Sequence, residues 1–230
     1  MRFPWLFGRA RKPDYGTIAR SEAPPEKARL IDWTAAVEVD GGILANPAQV
    51  GACSIMCTLP PEQLAGFNCR FISWLTPEHQ RLFEHMPNEA YVGVFFFRQP
   101  RMPDLFIRNS VFIEFMHLTV ASVGPDLEIL RETARRAWRT GGRNLYIFDG
   151  RMDQWLAANP DGMPENEEIV GLFQVDAGTV SPAGYLRNTR HKLLTRSGPS
   201  RISEVLYLGF VSALLQLDGA RRSVPPAVPG

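Results

Sequence analysis

Lysine is almost missing from this chain: Lys12, Lys27 and Lys192 are the only three among 25 basic residues. The arginine bias runs the full length, so an arginine at any one position is weak evidence of a chosen guanidinium. Net charge is nearly absent too, at +1 over 230 residues. Such a chain has no global field to gather nucleic acid, and nucleic acid is not an expected partner. Cysteine is scarce and odd in number, at Cys53, Cys57 and Cys69. Disulfide frameworks need pairs and an oxidising compartment, so reduced thiols in a cytoplasm fit better. No apolar run reaches the roughly 18 residues that would span a bilayer. Phe3 to Phe7, broken by Pro4, is too short for the apolar region of a signal peptide. The expected location is cytoplasmic.

Readable catalytic signatures are missing as well. The chain has no G-x-S-x-G elbow, Walker loop, G-x-G-x-x-G or H-E-x-x-H. That removes the easily read hydrolase, nucleotide and zinc-protease classes and leaves enzymes whose sites assemble from distant single residues.

What is present is enough apolar material, 45% of residues, for a core of ordinary size. Residues 26–218 read as one globular domain, residues 1–25 as a flexible or loosely docked arm, and residues 219–230 as a disordered, proline-broken tail. Residues 2–12 mix Phe3, Trp5, Leu6 and Phe7 with Arg2, Arg9, Arg11 and Lys12. That composition allows weak contact with an anionic membrane surface, although an arm packed on its own domain or left mobile accounts for it better.

Strands are expected at Leu30–Val39, with Asp40-Gly41-Gly42 as a turn and Ile43–Ala45 as a return arm, then at Val50–Leu59 and Phe67–Leu75. Pro61–Ala65 has room for one helical turn. Thr76-Pro77-Glu78 opens a helix to about Met86, having a hydroxyl N-cap, proline at the first position and an acid in the first turn. Tyr91–Phe97, YVGVFFF, is apolar on both faces and belongs in a covered sheet. FIEFMHLTVASV from Phe112, a helix bearing Leu127, Leu130, Ala134 and Trp138 on one face, and LYIFD to Asp149 read as β-α-β. The unbroken apolar character of Leu105–Val123 also suits a buried helix. A short helix is expected at Met152–Ala158 and a strand at Ile169–Val175. The last helix, Arg201–Leu217, should have Ser200 as N-cap and Gly219 as terminator, and its nearly all-round apolar surface places it in the core. The fold expected is α+β: a central, mostly antiparallel sheet with one β-α-β crossover, helices on its faces and a buried C-terminal helix.

Several constellations invite chemistry and are better explained without it. Asp40, Asp149 and Asp176 end strands near glycines, where paired carboxylates hold cations, but turn chemistry alone demands these residues. Cys53, Cys57, Cys69 and His79 supply soft ligands in order, yet Ser54-Ile55-Met56 puts the first pair on a strand-like run rather than a tight zinc turn. No metal and no cofactor is expected. His117 and Thr119 resemble one half of the paired His-x-Thr arrangement of two-histidine phosphoesterases, and the other half is missing. The helix stripe Arg131, Arg135 and Arg139 is partly neutralised by Asp126, Glu128 and Glu132 and reads as a solvated face.

One stretch stands apart. Between Asp176 and Glu204 the chain has no acid, yet it carries Tyr185, Arg187, Asn188, Arg190, His191, Lys192, Arg196 and Arg201. Tyr and Arg are typical interface anchors, and long loops in compact domains are often functional. The candidate binding residues are therefore Tyr185, Arg187, Asn188, Arg190, His191 and Lys192, with no catalytic residue assigned. The expectation is a non-catalytic cytoplasmic protein-binding module, a neutraliser or adaptor, whose partner presents an acidic surface. The alternative is an enzyme on a small phosphate or carboxylate substrate, with His191 as acid or base, Arg187 and Arg190 clamping the anion and Asp176 orienting the histidine. A solvated connector whose arginines pair with Glu165, Glu167 or Glu168 would do neither.

Overall fold

The computed structural model describes residues 36–44, 55–57, 68–84, 86–99, 102–159, 162–195 and 198–223. The expectations for the N-terminal arm, for residues 30–35 and 46–54, for the helical turn at Pro61–Ala65 and for residues 224–230 lie outside these. In chain order the strands are β1 (Val37–Leu44), β2 (Ile55–Cys57), β3 (Asn68–Ser73), β4 (Tyr91–Gln99), β5 (Met102–Asn109), β6 (Asn144–Phe148), β7 (Ile169–Gln174), β8 (Tyr185–Arg187), β9 (Leu194–Thr195) and β10 (Gly198–Pro199). The helices are α1 (Pro77–Gln80), α2 (Ser110–Val123), α3 (Glu128–Arg139), α4 (Met152–Ala158) and α5 (Glu204–Ser223).

The fold is α+β, with the strands divided between a five-stranded sheet, β2-β1-β5-β4-β3, a three-stranded antiparallel sheet, β6-β7-β8, and the small β9-β10 pair. In the larger sheet β1 and β5 run parallel, and every other neighbouring pair is antiparallel. β4 lies beside β5 and is buried from Tyr91 to Phe97, as its two apolar faces require. Phe95 and Phe106 stack at 4.5 Å on one side, while Tyr91, Val94, Phe96 and Ile107 form a separate cluster on the other.

The segment from Phe112 corrects the β-α-β expectation. β5 ends at Asn109, whose side-chain oxygen accepts the Val111 N–H at 3.1 Å and whose amide group donates to the Asn88 and Tyr91 carbonyls. That N-cap starts a helix, and Phe112, Met116, Thr119 and Val120 then fall on one buried face at helical spacing. A run apolar at almost every position satisfies both periods, and capping decides between them. The two helices α2 and α3 therefore connect one sheet to the other, and the parallel pair is β1 with β5.

Three smaller differences have equally local causes. β1 runs through Asp40-Gly41-Gly42 rather than turning there, with an irregular register between Gly41 and Leu44 against β2. α1 stops at Gln80, although Thr76 caps it as its sequence predicts. α5 begins at Glu204 and continues through Gly219, and Arg221 then clamps the buried Glu89 at 2.6 and 3.0 Å. α5 packs on α2 through Leu206, Phe210 and Leu214, and Gly209 lies against the Val123 side chain with no room for a Cβ. Its other side is open, with Leu208 at 69% exposure, so the helix is buried along one face. One core joins both sheets to α2 and α5.

Candidate functional site

The acid-free stretch is held in place by a buried ion pair that its own sequence does not contain. Asp149 ends β6, and Gly150 lets the chain turn directly against Ile202 and Ser203, where a Cβ would collide with backbone. The turn returns Arg151 to the same carboxylate: its Nε donates to Asp149 Oδ1 at 2.9 Å and a terminal nitrogen to Oδ2 at 3.0 Å. The remaining guanidinium hydrogens go to the Lys192 carbonyl, Thr195 Oγ1 and the Gly198 carbonyl, each at 2.8 Å. Asp149 Oδ1 also accepts from the Arg151 and Arg201 backbone N–H groups, and Oδ2 from Ser200 Oγ at 2.5 Å and His191 Nε2 at 3.0 Å. Side-chain exposure is 0% for Asp149, 1% for Arg151 and 3% for His191.

Six donors thus converge on one carboxylate, and all five guanidinium hydrogens find acceptors. Burial pushes the Asp149 pKa up, but the His191 hydrogen bond, the Arg151 charge and the Ser200 hydroxyl outweigh it and bring it to about 2. A buried pair this fully bonded fixes a conformation. Here it gathers Lys192, Thr195, Gly198, Ser200 and Arg201 around Asp149 and Arg151.

Further ties secure the same stretch. The Asn188 amide group reaches the Asn166 and Ile169 carbonyls, at 2.5 and 2.7 Å, and its side-chain oxygen accepts the Arg190 N–H. The Lys192 N–H bonds the Glu167 carbonyl. Glu38 on β1 is pushed up in pKa by burial, against the pull of Arg108 and of hydrogen bonds from the Leu194 and Leu193 backbone. The loop is therefore anchored on both sheets.

The six candidate residues separate into two sets. Tyr185 turns inward, its hydroxyl 2.8 Å from His117 Nδ1 and its ring on Phe173, while Asn188 and His191 are engaged in the bonds above. These three hold the loop. Arg187, Arg190 and Lys192 face outward. Arg187 reaches Glu114 at 2.8 Å and Lys192 reaches Glu167 at 2.6 Å, both pairs well exposed. The Arg190 guanidinium is exposed and has no carboxylate partner among the described residues. Asp176, expected beside His191, instead forms a tight backbone bridge with Thr179, and Asp149 occupies its place. Arg196 lies outside the described residues.

Asp149 reads in the sequence as an ordinary turn residue, and nothing there marks Arg151 as its partner. The available signal was weak: an acid at a strand end with a basic residue two positions on, across a glycine. Turn chemistry alone accounts for that pattern, and the other partners of both groups lie 41 to 52 residues away.

His117 is buried on α2, and burial, then the charges of His191 and Arg187, lower its pKa to about 4. It is neutral at pH 7, with Nδ1 hydrogen-bonded to the Tyr185 phenol, whose own pKa burial raises. A small cavity of about 10 Å³ lies between Trp74, Met116, Val170, Leu206 and Phe210, with the Thr119 hydroxyl on its wall and without a partner among the described residues. That is room for one water. His79 bonds Thr76 and Tyr207 at 2.9 Å. Among the described residues no cluster of His, Cys, Asp and Glu could hold a metal, and no helix is long and apolar enough to cross a membrane. Cys53 lies outside the described residues. The α3 stripe is paired, Arg131 with Asp126 and Glu128, and Arg135 with Glu128.

No family model, no curated protein and no solved structure matches the chain.

Proposed function

We propose that this protein is a non-catalytic cytoplasmic binding module of the neutraliser or adaptor type, which presents Arg187, Arg190 and Lys192 on a preformed loop to an acidic protein surface. One observation carries this reading: a buried, saturated Asp149–Arg151 pair is used to fix a surface loop whose outward charged side chains, Arg187, Arg190 and Lys192, are all cationic. A loop ordered in advance loses little conformational entropy when it binds. The Arg187–Glu114 and Lys192–Glu167 pairs are exposed, so a partner's carboxylates replace Glu114 and Glu167 at little cost.

The enzymatic alternative has less support in this geometry. An acid or base must reach its substrate, whereas His191 is buried with Nε2 committed to Asp149. The adjacent cavity accommodates one water, far below the several hundred cubic ångströms usual for a substrate.

The test is capture from the source cell with mass spectrometry, comparing wild type with Arg187→Ala/Arg190→Ala/Lys192→Ala. The expected result is a partner with an acidic surface, lost in the variant and released by moderate salt. Partners that bind both proteins equally would refute the assignment.

A further inference from the structure

Among the described residues the same surface carries a sheet edge without a neighbouring strand. β8 is the outer strand of its sheet, paired with β7 through Gly171 opposite Arg187, Leu172 opposite Leu186 and Phe173 opposite Tyr185. The Asn188 N–H donates to the Val170 carbonyl, and this sets the phase of the ladder. In an antiparallel pair the bonded positions alternate, so Leu186 and Asn188 point their backbone groups at β7 while Tyr185 and Arg187 point theirs away. The Tyr185 N–H is taken by Pro182. The Tyr185 carbonyl and both backbone groups of Arg187 thus face outward, unpartnered among the described residues.

Side chains flank this edge on both faces. Arg187 and Glu114 lie toward α2, where Leu118 is 66% exposed, and Leu186, 49% exposed, lies on the opposite face in register with Leu172 and Tyr146. Arg190 and Lys192 follow directly in sequence.

We propose that β8 is a docking edge for an extended acidic segment of the partner, which adds as a fourth strand beside Arg187. This rests on the binding reading above and specifies its mode. Main-chain hydrogen bonds to Tyr185 and Arg187 hold the segment, its carboxylates meet Arg187 and Arg190, and its alternate side chains, on the opposite face, cover Leu186. A second copy of this chain is the wrong occupant, because edge-to-edge pairing of two β8 strands brings like-charged arginines together.

The probe is a heptapeptide of alternating glutamate and valine added to the full chain, with the same peptide N-methylated at alternate amides as control. Binding should slow hydrogen exchange at the Arg187 amide by about tenfold or more, and N-methylation of the docking edge should abolish binding. Beyond the side chain that Arg187→Ala also loses, Arg187→Pro removes only an outward N–H and no hydrogen bond of the ladder to β7. It should weaken binding about tenfold, where Arg187→Ala, which loses one exposed cation, weakens it by less than about fivefold. The N-methylated peptide keeps the test open if the proline variant fails to fold. Equal binding of both peptides, or an unchanged Arg187 amide in the complex, overturns strand addition. Should the triple alanine variant still lose its partner in that case, the charge-based reading survives. Should it bind normally, that reading fails too.

Discussion

Replacing Asp149 with asparagine tests the energetic core of this account. The substitution keeps size and shape but removes the charge facing a guanidinium that is 1% exposed, and it replaces one accepting oxygen by a donor. Donors from Arg151, His191 and Ser200 converge on Oδ2, so whichever oxygen becomes the amide, charged or hydroxyl donors lose their acceptor. Breaking one side of a buried pair costs about 3–5 kcal/mol, against about 5–15 kcal/mol for total stability. For a domain of this size that corresponds to a fall in Tm of about 6–20 °C. Urea denaturation followed by circular dichroism gives the number, and Arg151→Met with the double variant completes a cycle. The two single losses should exceed the double loss by more than about 1 kcal/mol, because removing both charges leaves neither stranded. A loss below about 1 kcal/mol for Asp149→Asn, or strict additivity, would refute the claim that this pair holds the loop.

The same carboxylate predicts acid sensitivity. Its folded pKa of about 2 lies below its usual 3.8, so its contribution is complete above pH 4 and disappears as pH falls toward 2. His117 behaves alike at higher pH: its folded value of about 4 against 6.5 means the unfolded chain takes the proton first, so stability declines as pH drops from 6.5 to 4, and NMR titration should find its midpoint below 5. Asp153 has the opposite sign, since burial raises it to about 6 although the Glu204 backbone N–H at the start of α5 pulls it down. Stability it contributes below pH 4 is lost as pH rises through 6, and Asp153→Asn should therefore stabilise more at pH 8 than at pH 5. Gly150→Ala should cost about 1–3 kcal/mol by pushing the Asp149 turn off Ile202 and Ser203, readable as a lower Tm. The triple alanine variant of Arg187, Arg190 and Lys192 should keep a Tm close to that of wild type, because its lost pairs are exposed.

Local pattern foretold most elements and failed where two patterns overlapped. β4, α3, α4, β6 and β7 each had one unambiguous period and clear punctuation, and the structure places them where the sequence does. The run through Phe112 fits a strand or a helix equally, and the Asn109 cap, a single side chain, settles it. Ser200 illustrates a different limit. It has the composition and position of an N-cap, but its hydroxyl is drawn to Asp149, 51 residues earlier, and Asp153 serves the helix start instead. At the candidate site the composition was legible and the division of labour was not. Tyr185, Asn188 and His191 look as available as Arg187, Arg190 and Lys192 until the partners contributed by β6, β7 and α2 are in place.

The central claim is that a buried ion pair keeps a cationic surface loop preformed, and hydrogen exchange at the amides of Asn188, His191 and Lys192 tests it most directly. Each donates to a fixed acceptor, Val170, Asn188 and Glu167 respectively. Protection at Asn188 and Lys192 should be close to that of β7 in the wild type and collapse in Asp149→Asn while β4 stays protected. Exchange at open-chain rates in the wild type, or protection unchanged by the substitution, would contradict it.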